Sequence, residues 1–323
     1  MKAAAKESIG VVMAAYNGER FIEAQLASIL NQSRPADEIV VVDDGSTDRT
    51  GAILQAYAGR DPRIRLHHKA RNQGYVRAFA DGIARSSCDL TALSDQDDIW
   101  ATDKLEKCSR ALAGRSGCGM CYHQSALIDA EGREIGALYG DVGQYDLPLS
   151  PVEARRAVLQ TVSPLAGFSM CFTRTLREKL LPMPGYRLCG HDWWICALAF
   201  FMFRPIYIED VLAYYRIHDA QASGAKDWLL SGTPWASRKR LFDGARIKRN
   251  LKRECRRLFH FRAQRRHKQR DRCLRRLEFA EALDQLLLVL HESGPNDPAT
   301  AGKEMIREIR QSRARLMQVN AKT

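Results

Sequence analysis

Through the first hundred residues, short β-branched runs alternate with stretches whose apolar residues recur at helical spacing. Ile9–Ala14, Glu38–Val42, Ile64–His68 and Leu90–Leu93 read as strands. Phe21–Asn31, with apolar residues at 22, 26, 29 and 30, reads as a helix, and so do the segment ending at Tyr57 and Gly74–Arg85. Thr47 or Asp48 is the expected cap of the middle helix. Strands separated by single helices imply βαβ units and a mostly parallel sheet flanked by helices. In such sheets ligands bind beyond the carboxyl ends of the strands. Three polar clusters fall at those ends: Tyr16-Asn17-Gly18-Glu19, Asp43-Asp44-Gly45-Ser46 and Asp95-Gln96-Asp97-Asp98. Three separate motifs on one rim mark it as the candidate site.

Composition removes several classes. The 323 residues are 45% hydrophobic and 27% charged, a globular mixture. The longest apolar run, Trp193–Phe203, has eleven residues, whereas a bilayer span needs about 20. The N-terminus MKAAAKESIG lacks the apolar core of a secretion signal. The expectation is therefore a cytoplasmic protein with reduced thiols. No G-x-G-x-x-G or G-x-x-x-x-G-K-[ST] follows the first strand, which argues against dinucleotide-binding and P-loop types.

Beyond residue 115 the pattern loosens. Met120–His123, Ile206–Asp210 and Leu212–Tyr215 are strand candidates, Gly140–Ser150 a loop, and Pro182-Met183-Pro184-Gly185 a break before His191-Asp192-Trp193-Trp194. Cys118 and Cys121 form a C-x-x-C without a second pair at zinc spacing, so both are expected in the core. Trp193 and Trp194 could line a pocket or fill the core. His67-His68 has no acidic neighbour in sequence and is assigned no role.

Asp95-x-Asp97-Asp98 offers hard oxygen ligands suited to Mg²⁺ or Mn²⁺, with open positions for a diphosphate. Alternatively it is a polar turn capping a helix that begins near Thr102. At Asp43-Asp44 one carboxylate can accept hydrogen bonds from a base or ribose while the other caps a helix. Tyr16 could stack on a base, and Asn17-Gly18 supplies a tight turn.

The stretches VVMAAYNGERFIEAQLASILNQSRPADEIVVVDDGSTDRT, RNQGYVRAFADG, LSDQDDIW, AGFSMCFTR, HDWW and YRIHDAQASG occur in this order over about residues 8–224. Together they resemble the family 2 glycosyltransferases of GT-A fold, and SDQDDIW resembles their bacterial rhamnosyltransferase-type subgroup. The resemblance implies that Ala14 and Tyr16 lie at the nucleobase, that Asn17 belongs with the nucleotide-sugar-binding residues, and that Asp44 reads the pyrimidine. It puts Asn72 and Gly74 in a turn beside the nucleotide. Asp95 would face ribose or sugar, Asp97 would hold the metal with His218, and Asp192 would be the catalytic base. Where many relatives have a second acid beside the base, this chain has His191, which leaves the role to Asp192 alone. The missing Q-x-x-R-W of processive synthases favours single sugar addition. The implied reaction is an inverting, metal-dependent transfer from dTDP-rhamnose or a UDP-sugar to a glycan or lipid-linked acceptor in bacterial surface polysaccharide or O-antigen synthesis. The alternatives are a sugar nucleotidyltransferase and a non-catalytic basic protein that binds membrane or nucleic acid.

The domain reading is a glycosyltransferase domain over 1–225 and a basic helical extension over 226–323. Between Arg238 and Arg276 there are 18 Lys and Arg against 3 Asp and Glu, so this segment alone outweighs the net +12 of the whole chain. Ile247, Leu251, Cys255 and Leu258 recur at helical spacing among these cations. A basic amphipathic helix suits an anionic membrane surface. The competing readings are packing of that stripe on the catalytic domain, with the run Leu283–Leu290 as partner, and non-specific contact with nucleic acid.

Overall fold

The protein is described by a computed structural model over residues 7–138, 147–159, 163–183, 190–219 and 221, with single positions at 286, 307 and 309–311. The expected loop at 140–150 and the break at 182–185 fall largely outside these residues, and the basic segment 238–276 falls outside them entirely.

The chain begins with the predicted alternation: β1 (Ile9–Ala15), α1 (Ile22–Leu30), β2 (Glu38–Asp43), α2 (Thr50–Arg60), β3 (Ile64–His68), α3 (Tyr75–Arg85) and β4 (Leu90–Ser94). The four strands lie parallel in the order β3-β2-β1-β4. Every residue of β2 is buried, because helices cover both faces of the sheet there. Successive side chains enter opposite layers. Val12, Val40 and Val42 join α3 on one face, while Val11, Val41 and Met13 meet α1 and Leu54 of α2 on the other.

The second half is mixed rather than parallel. It comprises β5 (Ile99–Trp100), α4 (Lys104–Leu112), β6 (Met120–Ile128), β7 (Glu134–Ala137), α5 (Pro151–Leu159), β8 (Met170–Thr173), α6 (Arg174–Leu180), α7 (His191–Met202) and β9 (Ile206–Arg216). Strand β8 is antiparallel to both β4 and β6, β9 runs parallel to β6, and β5 is antiparallel to β9. One nine-stranded sheet results, with β7 paired off the main path to β6. Helices α5, α6 and α7 pack with α3 on one face, and α4 packs with α1 on the other. Leu286 and Ile309 are also buried in the first of these cores, so residues beyond 225 contribute to the packing of the sheet domain.

Several sequence expectations need adjustment. Strand β6 extends to Ile128, since the partner strand β9 continues alongside it. The two short runs at 206–215 are one strand, β9, with register shifts opposite Gln124. The two residues of β5 pair with Ala213 and Tyr214 and delay α4 to Lys104. Helix α2 starts at Thr50, whose N–H donates to Asp48 Oδ1 at 2.9 Å, while the Thr47 N–H donates to Asn17 Oδ1 instead. Among the described residues no helix is long and apolar enough to cross a membrane.

Candidate active site

A cleft of about 810 Å³ opens at the carboxyl ends of β1, β2 and β4. Ala14, Tyr16, Asp44, Asn72, Gly74, Asp95, Asp97 and Asp192 all line it. These residues come from five separate stretches of sequence, and the switch in strand order around β1 gathers them.

The rim is built by bonds between loops. Asn17 adopts a left-handed conformation (φ 49°). Its N–H donates to Ser46 Oγ, and its Oδ1 accepts from the Thr47 N–H at 2.8 Å. Asn17 is not among the cleft-lining residues; it ties the β1 loop to the β2 loop. Gln96 was missed by the sequence reading. Its Oε1 accepts from the Tyr16 N–H at 2.8 Å, and its Nε2 donates to the Tyr16 carbonyl at 3.0 Å. A Cβ on Gly18 would stand 2.3 Å from Gln96 Oε1, so glycine there admits the clamp. Tyr16 itself is 41% exposed at the mouth, a ring available for stacking.

The neighbouring carboxylates Asp43 and Asp44 divide their work. Asp43 Oδ1 accepts from the Ser46 N–H and hydroxyl, and its Oδ2 lies 2.9 Å from His68 Nδ1. The acidic partner that His68 lacks in sequence is opposite it in the β2–β3 register. Asp44 turns the other way. Its Oδ2 accepts from the Gln73 and Gly74 N–H groups at 2.9 and 2.7 Å, and its Oδ1 is 3.2 Å from Lys69 Nζ. The turn 72–74 is closed by Asn72 Oδ1 on the Gly74 N–H, with Gly74 at φ 92°. A Cβ on Gly45 (φ 78°) would meet the backbone of Arg71 at 2.7 Å, so glycine is required where these loops touch.

The acidic loop after β4 crowds several carboxylates together. Burial first, then the charges of Asp97 and Asp192, push Asp95 up to about 7. Asp98 points inward, is fully buried, and accepts from the Arg216 N–H; burial and the Asp97 and Asp95 charges raise it well above the ordinary carboxyl range. Asp97 Oδ2 lies 2.9 Å from His218 Nε2, across 121 residues of sequence. His218 is buried beside Phe21, its ring 4.6 Å away. Arg216, which the sequence reading also missed, locks this corner. Its Nε donates to the Asp97 carbonyl, and its terminal nitrogen to the carbonyls of Asp129 and Ala130. The signal for it is the position at the end of a strand, invisible until β9 is recognised as one continuous element.

Asp192 stands in the first turn of α7, where the helix dipole favours an anion. Its Oδ1 accepts from the Trp193 N–H at 2.8 Å. Trp193 and Trp194 settle as core residues: both are buried, with indole N–H groups on the carbonyls of Val158 and Leu180. His191 does line the cleft. It stacks on Phe79 at 3.9 Å, and burial lowers it to about 4, so it is neutral at pH 7. A Cβ on Gly167 would stand 2.4 Å from its Nε2, which explains glycine in the AGFSM stretch.

A doubly covered α/β sheet with an acid-lined cleft at its switch point is the architecture of the GT-A fold. TarS (residues 1–349) from S. aureus, solved in complex with UDP, matches the fold with a TM-score of 0.54 at 16% identity, over 96% of this chain and 88% of that one. Residues 10–131 match the family model described as glycosyl transferase family 2. An uncharacterized glycosyltransferase of Nostoc is 29% identical over 219 residues, 66% of this chain and 65% of its own length. The Bacillus subtilis glycosyltransferase TuaG, named for teichuronic acid biosynthesis, is 35% identical over 130 residues, 40% of this chain and 51% of its own. The chain thus spans about half to two thirds of the length of these curated relatives. Over residues 10–131 the chain is thus similar to the family 2 glycosyltransferases, and its fold is GT-A.

Proposed function

We propose that the protein is an inverting glycosyltransferase that takes a sugar from a nucleotide-diphospho donor in bacterial surface polysaccharide synthesis. The observation that carries this reading is the convergence of Asp44, Asp95, Asp97 and Asp192 on one cleft, with His218 bonded to Asp97. The relative named for teichuronic acid biosynthesis supports the pathway class.

Tyr16 would stack on the base and Asp44 would accept from its edge, while the turn at Asn72-Gln73-Gly74 bounds the nucleoside. Burial, and after it the charges of Asp97 and Asp192, raise Asp95 to about 7, and a cation bound among these carboxylates would offset that cost. The donor set is hard oxygen with one imidazole, which fits Mg²⁺ or Mn²⁺. Asp97 and His218 would hold the ion, which when bound neutralises the diphosphate and stabilises it as a leaving group. Asp95 would orient the ribose or the sugar. Asp192 would take the proton from the acceptor hydroxyl as its oxygen bonds to the anomeric carbon and the carbon–diphosphate bond breaks on the opposite face. No covalent enzyme intermediate is needed. The donor is dTDP-rhamnose or a UDP-sugar, and the acceptor a glycan or lipid-linked sugar. The basic segment 238–276 would bring the enzyme to an anionic membrane surface on the inner face of the cell membrane.

Thermal stability with UDP, dTDP, GDP and CDP, each with and without Mn²⁺ or Mg²⁺, tests the reading. A ligand at a hundred times its Kd stabilises by about 2.7 kcal/mol. Metal-dependent stabilisation by one pyrimidine diphosphate supports the site and selects the donor: dTDP points to rhamnose, UDP to a hexose or hexosamine. No response to any nucleotide would overturn it.

A further inference from the structure

We propose that Cys108, Cys121 and Cys171 form a site for one thiophilic d¹⁰ cation, Zn²⁺ or Cu⁺, in the protein core. The three sulfurs lie within 4.8 Å of one another, and all three residues are buried. They arrive on three rigid elements: α4, β6 and β8. Cys121 and Cys171 face each other directly in the β6–β8 register. Thiolates sharing an ion at about 2.3 Å stand roughly 3.8–4.0 Å apart, so closing on a metal needs only a small inward shift. Soft thiolate sets select Cu⁺ and Zn²⁺ over the hard cations suited to the cleft.

Two neighbours strengthen the reading. Lys104 lies one turn before Cys108 on α4 and is fully buried. Its Nζ donates to the Phe168 carbonyl at 2.7 Å and sits 3.7 Å from the Trp100 ring centroid. Among the described residues no carboxylate is within ion-pair distance of it. Burial lowers Lys104 to about 8, and against it act the charges of Asp98 and of the three sulfurs. Binding a divalent ion would release three thiol protons to solvent and leave a cluster of one net negative charge, which Lys104 offsets. His123 shares the face of Cys121 on β6 two residues further on, outside the three-sulfur group. Its Nε2 is buried without a hydrogen-bond partner among the described residues, a nitrogen that would have to move toward the sulfurs to become a fourth donor to tetrahedral Zn²⁺. Three sulfurs alone suit trigonal Cu⁺. Either ion would staple α4, the helix that follows the acidic loop, to the centre of the sheet.

The test uses the full chain produced with Zn²⁺ or Cu⁺ supplied and then dialysed against a weak chelator. Metal per chain is counted, and X-ray absorption at the metal edge reads its neighbours. The expected result is one ion per chain with three sulfur neighbours at about 2.3 Å, from whichever of the two metals is retained. Sulfur coordination should vanish in Cys108→Ala and persist in Cys118→Ser. It should also persist when Cys189, Cys255 and Cys273 are all replaced by serine, a variant that decides the matter even if Cys108→Ala does not fold. No retained ion, coordination by nitrogen and oxygen only, or a Cys121–Cys171 disulfide in the isolated protein would each overturn the proposal.

Discussion

The two halves of the sheet bring their site residues to the cleft by different means. In the parallel half, each residue sits within a few positions of a strand end, and neighbouring loops are stitched by short-range side-chain bonds such as Asn17 to Thr47 and Asp44 to Gly74. In the mixed half, the pieces come from far apart. Asp97 meets His218 across 121 residues, and Asp192 reaches the rim on a helix whose residues from Trp193 to Met202 are buried. On the proposed function, the parallel half would be a recognition surface that its own loops pre-organise. The mixed half would depend on long-range packing to set the reacting groups, so substitutions there should separate chemistry from binding most cleanly.

Asp192→Asn is the sharpest such separation. Removing a general base costs about 10²–10⁴-fold in rate, and the Trp193 N–H keeps an acceptor in the amide. Transfer turnover should fall by that factor while nucleotide Kd, measured by calorimetry, stays within twofold. Full activity in the variant would remove Asp192 from the mechanism. His218→Ala should act on the other function of that half. Loss of a ligand or its immediate support typically costs about 10–100-fold in metal affinity, so the Mn²⁺ concentration needed for half-maximal activity should rise by that factor. Turnover at saturating Mn²⁺ should recover in part. A variant with unchanged metal demand would confine His218 to a structural bond on Asp97.

The same contrast explains what could be read from the sequence. The four parallel strands, their helices and the acids at their ends were legible because βαβ periodicity is local and the ligand-facing rim follows from it. Asp44, Asp95 and Asp97 needed only that rule to be placed on the rim, whereas Ala14 came from the family resemblance. Gln96 and Arg216 were not legible, because each acts through a partner fixed by tertiary contact: Gln96 on the main chain of Tyr16, Arg216 on the carbonyls of Asp97, Asp129 and Ala130. The thiol cluster was hidden for the same reason. The C-x-x-C led only to the expectation that Cys118 and Cys121 lie in the core, whereas the sulfur neighbours of Cys121 are Cys108 on a helix and Cys171 on the adjacent strand.

His191 gives the mixed half a pH signature that the parallel half lacks. Neither ring nitrogen has a hydrogen-bond partner among the described residues, and burial holds the ring at about 4. An unfolded histidine titrates near 6.5. Between pH 6.5 and about 4 the unfolded chain therefore binds a proton that the folded chain does not. Stability should fall as pH drops through that window, by at most about 1.4 kcal/mol per pH unit. Chemical denaturation at pH 7, 6, 5 and 4.5 should show a shallower loss for His191→Asn than for the parent. Parallel curves would mean that water or a neighbour satisfies the ring.

The smallest effect should come from the parallel half, at His68. Its imidazole meets Asp43, but it is 46% exposed in its side chain, and exposed pairs contribute only about 0.2–1 kcal/mol. Asp43 keeps its bonds from Ser46 when His68 is removed. His68→Ala should therefore lower stability by less than about 1 kcal/mol and leave nucleotide affinity unchanged. Asp44 lies one residue away and is 2% exposed, with its carboxylate on the cleft side, pinning the turn at Gly74. If His68→Ala weakened nucleotide binding as much as Asp44→Asn does, the division of labour between the two adjacent carboxylates would be wrong. The β2–β3 edge would then be part of the binding surface rather than its support.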